Sequence, residues 1–296
     1  MSGFMEKSNR RKYFLEKLSG KLFLICAFIS VISLALIISF VFFKGFRPFV
    51  AEGYNFIQFL LGYDWVPGEG HFGVFPMIVT SLYATIGALI IGVPIGLFTA
   101  VFLAEIAPKP IVKILSPAVQ LLAGIPSVLF GVFGLAVIVP FLQNYLGLAK
   151  GQSLIAVIIV LAIMMLPTIV TVSETAIRSV PQSYREGSLA LGVSEMRTIF
   201  KVVIPAAKSG IMAAIVLGMG RAIGETMAVI LVAGNSLMIP TSLTDSVRPL
   251  TTNIALEMGY AAGIHQEMLF ATGIVLFFFI LILNVILAKI SAKGGQ

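Results

Sequence analysis

The chain has 296 residues, of which 58% are hydrophobic and only 11% charged, and its formal net charge is +7. Soluble domains carry about 25% charged residues, so with a mean hydropathy of +1.05 a single water-soluble core is excluded. A lone cysteine, Cys26, excludes an intrachain disulfide, and the two histidines, His71 and His265, are too far apart in sequence to suggest a metal site.

Gaps between charges locate the elements. Leu22–Phe43 is uncharged. It is longer than a signal-peptide apolar region, and no small-residue cleavage site follows at Phe42-Phe43-Lys44, so it is expected to be a retained first helix. An outer loop, 44–74, carries Tyr63 and Trp65 as expected interface anchors. Phe72–Ala104 is the second apolar run, followed by a short inner loop around Glu105–Lys113. The third run, Ile114–Ala149, exceeds one span, and Pro117, Pro126 and Pro140 are expected to divide it into a lead-in turn, a helix and an exit turn. A short outer loop, Gln143–Lys150, leads to the fourth run, Gly151–Ser173. The fifth, Ser209–Ala233, is interrupted only by Arg221 and Glu225, and the sixth is Met268–Ala288. A spanning helix needs about 20 apolar residues, so six transmembrane helices are predicted in an all-α membrane protein.

Charge fixes the expected orientation. With the N-terminus inside, fifteen Lys and Arg lie on the inner side and four (Lys44, Arg47, Lys150, Arg248) on the outer, leaving Arg221 in the membrane. This positive-inside bias predicts an even helix count, with a basic cytoplasmic segment at 1–21 and a cytoplasmic tail at 291–296.

The inner segment 174–208 is unlike the other loops. Leu189, Val193, Met196, Ile199, Phe200 and Val203 recur at roughly helical spacing among charged residues, and Gly192 suits two short helices meeting at a bend. A helix lying on the inner leaflet, a simple linker and a docking surface for a partner all fit this pattern. Only docking explains why this inner loop alone is long and helical.

Arg221 and Glu225 raise a separate question, because a charge at mid-bilayer costs about 2.5–3.5 kcal/mol. Four residues apart on one helix, they would share a face and form either a structural salt bridge or a functional pair. In the functional reading Arg221 offers a planar fork to an oxyanion. Glu225 holds Arg221 when no substrate is present, and it accepts a hydrogen bond from a protonated phosphate oxygen that sulfate lacks. Gly220 and Gly224 form a small-xxx-small pair for close helix packing, against a second subunit or within the chain. Thr80, Ser81, Thr85, Thr168 and Thr171 are candidate path-lining hydroxyls, with bonding to their own helix carbonyls as the alternative. Arg248, Asn253 and Glu257 mark the outer loop 235–267 as a candidate docking surface.

Glu186-Gly187-Ser188, then Gly192, then Val202-Val203-Ile204-Pro205 resembles the EAA loop of binding-protein-dependent ABC importer permeases. Glu186, Gly192 and Pro205 keep the spacing of that pattern, while Gly187 and Ser188 replace its usual alanines. GRAIGETMAV with AGN (Gly220–Val229, Ala233–Asn235) and IPSVLFGVFGL (Ile125–Leu135) are similar to segments of the PstC-type, phosphate-specific branch. The resemblance implies a type I importer (MetI-like) permease fold over 75–290, with 174–208 as its cytoplasmic coupling loop. It implies three partners: a PstA-like permease, a PstB-like ATPase dimer and an extracytoplasmic phosphate-binding protein. It also implies ATPase contact at Glu186, Gly187, Gly192 and Pro205, and a path role for Ser127 beside Arg221, Glu225, Thr80 and Ser81. No GxxxxGK[ST] loop occurs, so ATP and magnesium are expected on the partner ATPase and no cofactor on this chain. The expected function is phosphate import. A permease for another oxyanion or nutrient, and a self-contained secondary carrier, are the alternatives.

Overall fold

The computed structural model describes residues 2–148 and 150–293, and among these not the side chains of residues 2–15, 146 and 290–293. Lys7, Arg10, Arg11, Lys12 and Lys293 of the charge count, and most of the tail 291–296, therefore fall outside what is described. Five helices are long and apolar enough to cross a membrane, and a sixth candidate is bent by 69°.

The core is built on α7 (Leu154–Arg178). A helix apolar on all sides suits a bundle centre or a lipid-facing span, and α7 takes the centre, between α3 (Phe75–Val101) and α11 (Lys208–Gly224). On α3, Ala84, Ala88, Gly92, Gly96 and Ala100 recur every four residues, and all are buried. This stripe lets the two backbones approach closely. A Cβ on Gly92 would sit 2.8 Å from Met165 Sδ, and one on Gly96 2.7 Å from Ile169 Cγ2. Gly218 of α11 meets Ile169 from the other side, where a Cβ would lie 2.9 Å from its Cγ1.

The third apolar run differs from expectation. Between α3 and the third span runs α4 (Lys109–Ala123), a full amphipathic helix with Pro117 inside it. The break comes only at Gly124–Pro126. From Ser127 the chain is helical through α5 (Ser127–Phe133), a π-helical turn and α6 (Val139–Leu146), and Pro140 sits near the start of α6 without ending the span. Of the three prolines, Pro126 alone marks a break, because only there does the backbone turn extended (ψ 137°). The connection after α3 is thus not minimal, and 174–208 is not the only helical connecting segment.

At one end of the bundle, the cap end, α2 (Phe56–Leu61) and a hairpin of β1 (Trp65–Val66) and β2 (His71–Phe72) form a small lid. Asn55 opens α2 by accepting from the amides of Ile57 (2.8 Å) and Gln58 (3.2 Å). Trp65 is buried with Phe59, Phe72 and Met268, which corrects its expected place at a membrane interface, while Tyr63 is exposed.

The first helix, α1 (Ser2–Ala51), meets the rest chiefly through α14 (Ile264–Lys293). Phe40 packs edge-on to Phe270, and Phe42 to Phe277 and Phe278. Arg47 pairs with Glu267 at the cap end. The opposite end, the loop end, carries α8 (Gln182–Ala190), α9 (Glu195–Thr198), a π-helical turn (Ile199–Val203) and α10 (Ile204–Ala206), which leads into α11.

Candidate functional site

The fifth apolar run is not one helix. Its helical backbone stops at Gly224, Glu225 turns extended (ψ 133°), Thr226 is irregular, and α12 (Met227–Val232) restarts beyond. The sequence expectation of a shared Arg221–Glu225 helix face fails for this reason: four residues place two side chains together only while the helix continues. Glu225 Oε1 instead accepts from the Ala228 amide at 3.0 Å, capping α12, and the Glu225 carbonyl accepts from Thr251 Oγ1 at 3.0 Å. Glu225 does not hold Arg221. Arg221, in the last turn of α11, is half-buried and has no hydrogen-bond or ion-pair partner among the described residues.

Several expected path residues gather around this break. A small cavity is lined by Ser81, Thr85, Glu225, Pro249 and Thr251 together with apolar side chains. Ser81 is occupied structurally: its hydroxyl donates to the Met77 carbonyl (2.8 Å) and accepts from the Leu250 amide (3.0 Å), tying α3 to α13 (Leu250–Glu257). Thr85 donates to the Ser81 carbonyl at 2.7 Å. Both therefore follow the carbonyl-bonding alternative. Thr80 is buried and its hydroxyl has no partner. On α7, Thr168 and Thr171 are half-buried.

Ser127 belongs to another element. A Cβ on Gly131 would lie 2.6 Å from Ala228 Cα, and one on Gly134 2.7 Å from Val232 Cγ1, so α5 and α12 run side by side in the same direction. Ser127, one turn before Gly131, is half-buried at the start of α5. Gly220 and Gly224 pack against nothing among the described residues, since a Cβ on either meets no atom of another segment within 4 Å. Helical glycines that do pack closely within the chain include Gly45, Gly87, Gly92, Gly96, Gly131, Gly134, Gly210 and Gly218. The four-residue stripe on α3 was readable from sequence and passed over.

The loop end matches its motif. α8 ends at Ala190, Gly192 adopts φ +77°, and α9 starts at Glu195. That left-handed backbone favours glycine. Ser188 and Thr198 hydroxyls meet at 2.8 Å, buried, and hold α8 to α9. Glu186, Gly187, Gly192 and Pro205 are all exposed, and Leu191 beside Gly192 is 85% exposed. An apolar side chain this far out on a tight turn is available to a partner.

The expected docking surface in the outer loop is corrected. Asn253 and Glu257 are buried, at 0% and 5% exposure. Glu257 accepts from Trp65 Nε1 (2.7 Å) and Arg248 Nη1 (2.8 Å), and it contacts His265 Nε2 at 2.8 Å. Arg248 also donates to Asn253 Oδ1 (3.2 Å) and the Asn235 carbonyl (3.0 Å). This is an internal hub, formed because a buried carboxylate requires donors on each lone pair. No cluster of metal-ligating side chains occurs among the described residues.

Residues 92–293 match the family profile described as binding-protein-dependent transport system inner membrane component. The chain is 40% identical over 286 residues to the probable ABC transporter permease protein YqgH of Bacillus subtilis, covering 94% of this chain and 93% of that protein. It is 35% identical over 262 residues to the phosphate transport system permease protein PstC of Mesorhizobium japonicum, covering 80% of each. With PstC of Pasteurella multocida the identity is 32%, covering 89% and 88%. The fold is similar to that of a chain of an inward-facing MetNI methionine ABC transporter (TM-score 0.56, 20% identity, 76% of this chain and 95% of that one). It is also similar to a chain of a bacterial ABC transporter that imports alginate (TM-score 0.57, 16% identity, 90% and 96%).

Proposed function

We propose that this chain, which belongs to the family of binding-protein-dependent transport system inner membrane components, is the permease subunit of an ATP-driven importer of inorganic phosphate. Phosphate transport permeases 32–35% identical over most of the chain support the substrate. The observation that carries the reading is Arg221: a cation on a membrane helix, beside a backbone break, with no partner among the described residues. An intramembrane charge is costly and marks a substrate path. Its guanidinium presents a fork matched to two oxygens of a tetrahedral anion.

In this reading Arg221 takes the anion transiently. Glu225 stands at the break as an acceptor for a protonated phosphate oxygen. Ser127 and Thr80 supply hydroxyls along the same route, and Ser81 fixes the geometry of α3 against α13. Gly220 and Gly224, uncovered among the described residues, receive the matching helix of a PstA-like permease. The exposed turn at Glu186, Gly187 and Gly192, with Pro205 beyond it, seats on a PstB-like ATPase dimer, which binds ATP and magnesium. A phosphate-binding protein delivers substrate at the cap end.

The test is uptake by the assembled complex in proteoliposomes, with phosphate and sulfate as competing cargo. Arg221→Ala is expected to abolish phosphate uptake with assembly intact. Glu225→Gln is expected to narrow the preference for phosphate over sulfate. Parent-rate phosphate uptake by both variants overturns the path assignment.

A further inference from the structure

The reading above leaves unused the charged residue directly before Glu186. Arg185 spends its guanidinium on four contacts: Nε to Glu105 Oε2 (3.2 Å), Nη2 to Glu105 Oε1 (2.5 Å), Nη1 to the Val180 carbonyl (2.7 Å) and Nη2 to the Ile177 carbonyl (3.1 Å). The two side chains are only 15% and 10% exposed. Hydrogen bonding to Glu105 raises the Arg185 pKa against the opposing effect of burial. A two-pronged contact of this kind fixes orientation as well as distance, because the planar fork cannot swivel about one bond.

Glu105 lies in the π-helical turn Phe102–Ile106 that ends α3. A second tie reaches the same turn. Arg178 Nη2 donates to the Leu103 carbonyl at 2.6 Å, while its Nε pairs with Glu174 at 3.0 Å. The end of α3 is therefore pinned to α7 and to α8 at once. The route from α8 through α9 to α11 is different in kind: it passes a glycine turn, a π-helical turn and the 69° bend at Ala207.

We propose that Arg185 and Glu105 are positioning residues for coupling: their bidentate pair makes α8 and the loop end of α3 move as one piece. Displacement of the exposed loop is thereby delivered to α3, whose other half carries Thr80 and Ser81, instead of being absorbed at the bends before α11. The inference rests on the importer reading given above. The two are distinguished by one preparation. The parent complex is assembled in proteoliposomes and phosphate taken up is measured per ATP hydrolysed, then the same is done for Glu105→Gln and Arg185→Lys.

Both variants are expected to keep ATP hydrolysis while uptake per ATP falls about two- to thirtyfold, the span of coupling energies carried by such contacts. Uptake per ATP unchanged in both variants overturns the inference. So does a proportional fall of uptake, hydrolysis and complex yield together, which is the signature of a purely structural pair. A parent complex whose hydrolysis and uptake ignore phosphate refutes the importer reading itself, before either variant is compared.

Discussion

The hub around Glu257 and the helix break around Glu225 both place charge inside an apolar bundle, and they resolve it in opposite ways. At the hub a carboxylate collects an indole N–H, a guanidinium and an imidazole from three separated parts of the chain. At the break the carboxylate caps a short helix, and the cation four residues earlier has no partner among the described residues. The hub closes on itself and holds the lid to the bundle. The break leaves Arg221 unmatched among the described residues.

That contrast sets the order of expected effects on stability. Glu257→Ala takes the carboxylate from the half-buried Arg248 and leaves Trp65 Nε1 without its acceptor, and breaking a buried pair costs up to about 3–5 kcal/mol. The expected outcome is a large loss of folded protein in detergent, read as a lowered Tm, with the lid accessible to protease. Next is Gly96→Val, which drives a side chain into Ile169 across the α3–α7 contact. Overpacking of this kind costs about 1–3 kcal/mol, and a Tm equal to that of the parent would show that the stripe is not a close contact. Arg221→Ala removes a costly charge that has no partner among the described residues, so the Tm is expected to stay level or rise although uptake is lost. A Tm drop comparable to that of Glu257→Ala would break the comparison, because Arg221 would then be paired within the fold.

Asp245 offers the smallest effect. Amides of Ser242 and Thr241 and the Thr241 hydroxyl bond its carboxylate and hold its pKa below the ordinary value of 3.8. The group is exposed, and it orders the turn 241–245 while it is ionised. A lowered folded pKa means that this contribution is complete above about pH 3.8 and fades as pH falls through the lower folded value. Asp245→Asn should therefore loosen the turn at neutral pH. Faster amide exchange at Thr241 and Ser242 checks this, and exchange unchanged from the parent refutes it.

Much of the fold was legible because apolar length and charge spacing report directly on membrane crossing. The bend in the loop 174–208 was legible too, because Gly192 takes a left-handed backbone that favours glycine. Three features were hidden for separate physical reasons. The break at Glu225 sits in an apolar run, and hydropathy carries no information about ψ. Helix α4 merged with the third span because Pro117 suggests an entry turn, whereas it lies inside a continuous helix, and the two helices are separated only by the short break at Gly124–Pro126. The hub joins Trp65 to Glu257 across 192 residues, and no local pattern encodes that pairing. The outer-loop charges were accordingly read as a surface when they are an interior.

The interrupted backbone at 224–226 also constrains its surroundings. A continuous helix hides its peptide groups from oil, but here the first amides of α12 have, among the described residues, only the Glu225 carboxylate, at Ala228, as a side-chain acceptor. Acyl chains have no acceptors or donors to offer, and each peptide group stranded among them costs several kcal/mol. Lipid is therefore barred from this side of the bundle whatever ion is carried. The seam must be wetted or sealed by polypeptide, this chain's own or a neighbour's, so the main chain by itself sets what may stand beside it.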